Sequence, residues 1–340
     1  MKIAIVGWGV EGKSAFKYFG PEHEYLIVNE EPAADFPQQS DNIKLQFLSG
    51  KREPGLTGNV ADLSYLDGIK SYDKIIFSVT SRPNLEKRFG KDKTFWDKAL
   101  TVQHIFFEKV KSKNVIGVTG SKGKGTTSTL VAKMLEAAGK KVFLGGNIGI
   151  SVLDFVNDVK ADDWVVLELS NFQLKDFPYS PHIAICLMLV EEHMDWHSDM
   201  EDYVEAKSNI FRHQSKSDIA IYFAEDDNSK KIAGYSPGLK IPYYQKPGAH
   251  LKDEKIVIGE DDKKIIDKSE IKLLGGHNLQ NICAAVTAAW QVTQDIDAIK
   301  QVLSSFSGLE HRLEFVRELK GVKYYNDSFG TAPATAIVAM

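Results

Sequence analysis

Residues 114–139 read NVIGVTGSKGKGTTSTLVAKMLEAAG. The β-branched run at 115–118 predicts a buried parallel strand, and apolar residues at helical spacing from 130 to 135 predict a helix that stops at Gly139. A glycine-rich loop joins the two. This order of strand, loop and helix forms a phosphate cradle, because backbone N–H groups, the helix N-terminus and a lysine all face the anion.

The loop supplies the amides, ammonium groups and hydroxyls that ATP and Mg²⁺ require. Five residues separate Gly117 from Gly123, and Gly125 follows the lysine, so the strict pattern G-x-x-x-x-G-K-[ST] is not met. An ordinary glycine-rich turn is the alternative, but flexibility alone does not explain so many lysines and threonines. We therefore expect ATP to bind here, with either threonine offering a hydroxyl to the metal. The predicted loop residues are Gly120, Ser121, Lys122, Gly123, Lys124, Gly125, Thr126 and Thr127.

The composition argues against a nucleic-acid or membrane protein and favours a cytosolic one. The chain has 340 residues, 43% of them hydrophobic, and a formal net charge of −4. This length suits two or three domains, and slight acidity argues against a nucleic-acid surface. Cys186 and Cys283 lie in apolar runs without metal-ligand spacing, as buried thiols of a cytosolic protein do. No signal peptide or membrane-spanning run is evident.

The N-terminal segment predicts a Rossmann-type start. Strands at 2–6 and 25–28 flank a G-x-G-x-x-G turn at 7–12, followed by acidic residues about 20 positions on, which fits a nucleotide-diphosphate or dinucleotide site. Close helix–strand packing is the alternative. Asn29 stands where a ribose-binding aspartate is common, which weakens the NAD interpretation. Arg82 follows a later strand and could meet a diphosphate or remain a solvated loop residue.

Several polar residues at predicted strand ends are candidates for ligand contacts. Glu168 ends the apolar strand at 164–169, so it needs a cation, either Mg²⁺ or Lys124. Asn147 lies among glycines after another strand, either as a ligand contact or within a simple turn. His193 or His197 could bind a metal or lie on the surface.

Two later helices carry further candidates. Asn278 and Asn281 share a face at a helix start and could contact a purine, or Asn278 could cap the helix. Lys207 lies on a helix where a lysine is ordinarily solvated, so the residues alone do not single it out.

Together these segments resemble the Mur ligase family, and the motifs keep their order over almost the whole chain. They are GWGVEGKS at 7–14, GVTGSKGK at 117–124, GNIG at 146–149, ELSNFQL at 168–174, EHMD at 192–195, GHNLQN at 276–281, HR at 311–312 and YNDS at 325–328.

The resemblance implies three α/β domains. These are a Rossmann-like domain for a UDP-linked substrate at 1–95, a central P-loop-type ATPase domain with a mostly parallel sheet at 96–308, and the start of a C-terminal ligase domain at 309–340. It is strongest to members that add D-glutamate to a UDP-linked muramoyl substrate through an acyl phosphate. The expected protein is a monomeric, ATP-dependent enzyme of peptidoglycan precursor synthesis.

The resemblance also assigns roles by position. The catalytic set is Lys124, Lys207, His193 and Arg312. Arg312 would hold the γ-phosphate, Asn278 and Asn281 the adenine, and Asp327 the ribose. Two Mg²⁺ ions would be held by Thr126, Glu168, His193 and a carbamylated Lys207. The UDP-muramoyl substrate would contact Gly9, Val10, Glu11, Asn29, Asn147, Ser170, Gln173 and His193.

The sequence differs from the family pattern at two places, and three alternative functions are considered. Lys-Gly-Thr at 124–126 is more like folylpolyglutamate synthase, and Phe329 stands where a lysine is common. Since the third domain would be mostly absent, we expect the chain to bind nucleotides but to ligate poorly. The rivals are a folylpolyglutamate synthase-like ligase, a non-catalytic nucleotide-binding module and an NAD-dependent oxidoreductase.

Overall fold

The computed structural model describes residues 1–48, 62–194, 196–311 and 314–328. The chain divides into two compact units. The first comprises Met1–Lys111 and Gly149–Val159, and the second comprises Ser112–Ile148 and Lys160–Met340. The first unit therefore runs past the boundary predicted after residue 95 and takes in a second segment. The separate domain predicted for residues 309–340 stays a prediction.

The described strands of the first unit form one parallel sheet. They are β1 (Lys2–Val6), β2 (Glu24–Asn29), β3 (Ile43–Phe47), β4 (Lys74–Phe77) and β5 (Ala99–Leu100). Their order is β3-β2-β1-β4-β5, which places the first strand at the centre. The sequence did not predict β3, because this edge strand is only half-buried and its residues are partly polar.

The helices of the first unit follow its strands in the Rossmann-type order. They are α1 (Val10–Phe19), α2 (Arg82–Phe89), α3 (Lys93–Trp96) and α4 (Val102–Lys109). Helix α1 begins at Val10, inside the glycine motif at 7–12. Gly9 is its N-terminal cap.

The second unit is organised around a larger parallel sheet. Its described strands are β6 (Val115–Thr119), β7 (Val142–Gly146), β8 (Trp164–Glu168), β9 (Ile183–Cys186), β10 (Ile219–Phe223) and β11 (Leu239–Tyr243). Their order is β11-β10-β9-β6-β8-β7. All five residues of β6 are buried, as its apolar sequence predicts. The carboxyl ends of β6 to β9 share one edge of the sheet, where ligands bind in this class of fold.

Helices cover this sheet, and two small antiparallel sheets follow it in the chain. The helices are α5 (Lys124–Ala137), α6 (Asn171–Leu174), α7 (Met200–Arg212), α8 (Asp227–Ala233), α9 (Asn278–Trp290) and α10 (Ile296–Ser305). The small sheets are β12–β14 (His250–Lys252, Lys255–Ile258 and Lys263–Asp267) and the hairpin β15–β16 (Glu314–Leu319 and Val322–Asn326). Helices α5, α9 and α10 pack together over an apolar core.

Both cysteines are buried free thiols, as their apolar surroundings predict. Burial raises the pKa of the Cys186 thiol to about 12, so this thiol is unreactive. Among the helices that the structure describes, none has the length and apolar character needed to cross a membrane.

Candidate functional site

The glycine-rich loop after β6 leads directly into α5. Gly120 has φ +146° and Gly123 has φ +86°, a backbone region that disfavours L side chains. A side chain at Gly123 would also overlap the amide oxygen of Asn281. The loop therefore needs glycine at both positions. It also lies against the first turn of α9, which carries Asn281.

Two lysine side chains converge on one carbonyl oxygen of this loop. The Nζ of Lys124 donates to the oxygens of Gly120, at 2.9 Å, and Ser121, at 2.8 Å. The Nζ of Lys207 donates to the same Gly120 oxygen at 2.9 Å and is 3.4 Å from Thr119 Oγ1. The structure thus brings together two predicted catalytic residues from α5 and α7.

Lys207 is the functional candidate that sequence pattern missed. Its side chain is fully buried, with 0% exposure, and its Nζ lies beside the ring of Tyr203. Burial, and next the charge of Lys124, hold the pKa of the Lys207 ammonium well below its usual value. The amine is therefore far more available in its neutral form than an exposed lysine would be. Only the resemblance to the Mur ligase family indicated Lys207, because the spacing of residues along a helix does not predict a long-range contact.

Glu168 ends β8 and faces the start of α5. Its Oε1 accepts a hydrogen bond from Asn147 Nδ2 at 2.8 Å, and its backbone oxygen accepts one from Asn147 N at 2.9 Å. The side chain is 6% exposed. A Cβ placed on Gly125 would lie 3.1 Å from Glu168 Oε2. The predicted metal-binding carboxylate and the predicted substrate amide are thus neighbours at the phosphate loop.

Ser170 and Gln173 form a capping box at the start of α6, immediately after Glu168. Gln173 N donates to Ser170 Oγ at 3.3 Å, and Ser170 N donates to Gln173 Oε1 at 3.1 Å. Both side chains are buried. Their predicted contact with substrate stays a prediction, since the observed hydrogen bonds are those of a helix cap.

The segment after β9 is fastened to the phosphate loop through Ser121. Its hydroxyl donates to Val190 O at 2.8 Å and accepts from Val190 N at 2.9 Å. The hydroxyl of Tyr203 lies 2.8 Å away and, since the serine proton is already used, acts as a donor. Lys122 Nζ lies 3.8 Å from a carboxylate oxygen of Glu192. This segment carries both candidate histidines.

The two histidines have different surroundings. His193 has φ +58°, an unfavourable backbone for a non-glycine residue, and its ring centre is 4.9 Å from that of Phe172. His197 is buried, with its Nε2 2.8 Å from Asn171 Nδ2 and its Nδ1 2.8 Å from Asp202 Oδ2. Both ring nitrogens of His197 are used within the protein, which does not favour His197 as a metal ligand.

The predicted adenine-binding residues begin α9. Asn281 Nδ2 donates to Asn278 Oδ1 at 2.9 Å, and Asn278 Nδ2 donates to Leu274 O at 2.6 Å. Asn278 does not cap the helix, since His277 holds that position. Burial lowers the pKa of His277, while the nearby Asp327 carboxylate acts in the opposite direction. Asp327 thus lies near the start of α9. Arg312 and Phe329 lie outside the described residues.

The donor set suits a magnesium ion that is completed by phosphate oxygens. Among the residues that the structure describes, no three His, Cys, Asp or Glu side chains form a group that could hold a metal. Glu168 is nonetheless a buried carboxylate, and its Oε1 accepts a hydrogen bond from the neutral amide of Asn147. Mg²⁺ commonly takes one or two carboxylates, several waters and nucleotide oxygens. The residues therefore fit Mg²⁺ bound together with a nucleotide.

A cleft of about 200 Å³ lies at the glycine turn of the first unit. The side-chain oxygen of Asn29 accepts from Trp8 N at 2.9 Å, so this asparagine organises the turn. Gly9 and Val10 are exposed at the turn, and Glu11 accepts from Gln103 Nε2 at 3.0 Å. The cleft is lined by Val6, Gly7, Trp8, Gly9, Val28, Asn29, Glu30, Glu31, Tyr65, Ser78, Thr80 and Ser81.

Arg82 is neither solvated nor in this cleft. Its side chain is 9% exposed, donates to Glu86 Oε1 at 2.7 Å and lies over the ring of Trp96, with 5.4 Å from Cζ to the ring centre. The helix α2 that begins at Arg82 holds it in an i, i+4 pair. A role with a diphosphate is therefore not supported.

Comparison of the sequence with known proteins identifies the family. Residues 118–289 match the Mur ligase middle domain. The chain is 35% identical over 346 residues to UDP-N-acetylmuramoylalanine--D-glutamate ligase of Acetivibrio thermocellus, covering 100% of this chain and 72% of the relative. This chain belongs to the Mur ligase family. Its predicted α/β fold with a P-loop-type ATPase sheet is confirmed, and it is an ATP-dependent ligase, as members of this family are.

Solved Mur ligase structures share the fold. A murein peptide ligase (MPL) from Neisseria meningitides has a TM-score of 0.58 at 16% identity, covering 91% of this chain and 99% of that one. MurF from Thermotoga maritima in complex with ADP has a TM-score of 0.53 at 22% identity, covering 81% of this chain and 67% of that one.

Proposed function

We propose that this Mur ligase uses ATP to join D-glutamate to UDP-N-acetylmuramoyl-L-alanine in peptidoglycan precursor synthesis. The observation that carries the proposal is the convergence of Lys124 and Lys207 on the Gly120 carbonyl. Glu168 lies beside the first turn of the same helix, and Asn281 lies against the same loop. The Acetivibrio thermocellus relative, at 35% identity over the whole chain, supports the choice of substrates. A cytoplasmic location and a monomeric state stay predictions of the sequence.

The protein's contribution to the reaction is to hold phosphate charge and orient the acceptor. Backbone amides of the loop and the N-terminus of α5 would bind the triphosphate. Lys124 would leave its two carbonyl partners and contact the terminal phosphates. The substrate carboxylate would then attack the γ-phosphorus, forming an acyl phosphate and releasing ADP. The amine of D-glutamate would attack the acyl carbon, and phosphate would leave as the amide forms. The Lys124 ammonium group lowers the barrier by stabilising charge that develops during transfer.

Mg²⁺ bound with the nucleotide would neutralise phosphate charge as a Lewis acid. Glu168 would hold it, with His193 and a carbamylated Lys207 as further ligands. A buried neutral amine favours carbamylation, since the unprotonated nitrogen attacks CO₂ to give a carbamate and one proton. Wild-type protein incubated with ¹³C-bicarbonate should show a carbamate NMR signal that is missing in Lys207→Met. A signal of equal intensity in both proteins would contradict this assignment.

The cleft of the first unit is the proposed site for the UDP moiety. Gly9 and the start of α1 offer backbone amides for a diphosphate. Glu30, Ser78 and Thr80 line the same cleft and offer oxygen atoms for hydroxyl or imide groups. The NAD alternative is tested by competition, since NADH that binds tightly and is not displaced by UDP would favour an oxidoreductase.

The central experiment measures ATP-dependent phosphate release with UDP-N-acetylmuramoyl-L-alanine, with and without D-glutamate, for wild type and Lys124→Ala. Phosphate release that needs the muramoyl substrate and falls by two to three orders of magnitude in the variant is expected. Release that is independent of the muramoyl substrate, or equal in both proteins, would contradict the proposal. A folylpolyglutamate synthase-like ligase would respond to a folate substrate instead.

A further inference from the structure

The second residue of α5, Gly125, occupies the place from which a side chain would meet the metal-binding carboxylate. A Cβ at this position would lie 3.1 Å from Glu168 Oε2, 3.1 Å from Ile148 Cδ1 and 3.3 Å from Leu309 Cδ1. The φ of Gly125 lies outside the left-handed region, so an L residue fits its backbone. The two apolar neighbours are ends of flexible side chains. A small side chain can therefore be accommodated here.

In phosphate loops the hydroxyl that contacts Mg²⁺ belongs to the residue directly after the lysine. In this chain that residue is Gly125, because the lysine is Lys124. The next residue, Thr126, is rotated by about 100° around the helix axis. Since position 125 faces Glu168, the side chain at 126 points along a different direction from the helix. The sequence-based assignment of the metal hydroxyl to Thr126 is therefore not favoured by this geometry.

We infer that position 125 supplies no hydroxyl to the nucleotide-bound divalent ion beside Glu168, and that a water molecule takes this place. The inference rests on the proposed ATP site and concerns its metal-binding side chains only. Mg²⁺ commonly retains several waters, so such a site is chemically complete. Its affinity should depend on Glu168 and on phosphate oxygens, with no contribution from Thr126.

The test adds a metal-binding hydroxyl at position 125 and compares it with a control variant that lacks the hydroxyl. Gly125→Ser adds a hydroxyl beside Glu168, whereas Gly125→Ala adds the same Cβ without it. Thr126→Val removes the threonine hydroxyl at nearly constant volume. Mn²⁺ serves as the probe, and its binding to each folded protein saturated with ADP is titrated by EPR. Thermal melting establishes that each variant is folded.

We expect Gly125→Ser to bind Mn²⁺ about tenfold more tightly than Gly125→Ala, in the range observed when partners of a metal site are altered. Thr126→Val should stay within about twofold of wild type. Equal Mn²⁺ affinity of the serine and alanine variants would overturn the inference, and so would a tenfold loss in Thr126→Val. If wild type binds no ADP, the proposed ATP site itself fails and the inference falls with it.

Discussion

The two units carry glycine-rich turns with the same backbone plan and different charges. In each, a central parallel strand ends in glycines and a helix begins at once. Around the Gly120 loop, Lys124 and Lys207 approach one carbonyl oxygen. Around the Gly7 turn, the cleft is lined by Glu30 and Glu31, and Lys13, in the first turn of α1, pairs with Asp35.

This difference indicates that the backbone of each turn forms a site for an anion. The charge of the surrounding side chains then determines which anion binds. Backbone amides and a helix N-terminus are common to both places. A triphosphate needs further positive charge, which the Lys124 ammonium group supplies at the Gly120 loop. The first turn suits a ligand whose diphosphate is partly balanced by solvent and whose other groups meet acidic and hydroxyl side chains.

The largest expected effect comes from removing the lysine in each turn. Lys124→Met should weaken ATP binding by two to three orders of magnitude, because a charge-assisted contact in a partly buried site is lost. Lys13→Met is the matched control and should leave ATP binding unchanged. Isothermal titration with ATP measures both. Similar losses in the two variants would show that the turns do not differ in the proposed way.

A second test concerns a half-buried histidine of the first unit, His104. Burial, with a smaller effect from Arg82, lowers the pKa of His104 from 6.5 to about 4. The unfolded state therefore binds more protons between these values, and stability falls as pH drops from 6.5 towards 4. Up to about 3 kcal/mol of unfolding free energy depends on this histidine.

The variant that isolates this effect is His104→Gln. Glutamine keeps an acceptor for Thr101 N, which now donates to His104 Nδ1 at 3.3 Å, but it does not titrate. Urea unfolding at pH 7 and at pH 4.5 should show a smaller loss in the variant than in wild type. Equal losses of unfolding free energy in the two proteins would show that a group other than His104 causes the acid sensitivity.

A smaller effect separates two glycines of the first turn. A side chain at Gly12 would overlap the carbonyl oxygen of Gly7, whereas one at Gly9 has no heavy atom within 4 Å. Gly12→Ala should lower the free energy of unfolding by about 2 kcal/mol through overpacking. Gly9→Ala should change it by less than about 0.5 kcal/mol. A reversed order in urea unfolding would mean that the close approach at Gly12 is not present in solution.

Sequence pattern predicted the parallel strands and the phosphate loop because both depend on local features. The run at 115–118 is apolar because β6 is buried on both faces, and glycines mark the loop because its φ values require them. The short strand β3 was not predicted, since its half-buried residues give no clear alternation.

Long-range contacts explain the remaining differences. Lys207 looks like a surface residue on α7, yet the fold places it 2.9 Å from the oxygen of a residue 87 positions away. His197 and Asn171 were separate polar residues in the sequence, and the fold joins them through a buried hydrogen bond. A Cβ added at position 125 would face Glu168, and this direction depends on how α5 packs against β8. None of these can be derived from spacing.

The most direct test of the account is a crystal structure with a non-hydrolysable ATP analogue and Mg²⁺ at saturating concentration. We expect phosphate density against the backbone amides of Gly123 and Lys124, with the metal ion between that density and the Glu168 carboxylate. Nucleotide density at the Gly7 turn of the first unit, with the Gly120 loop vacant, would contradict it.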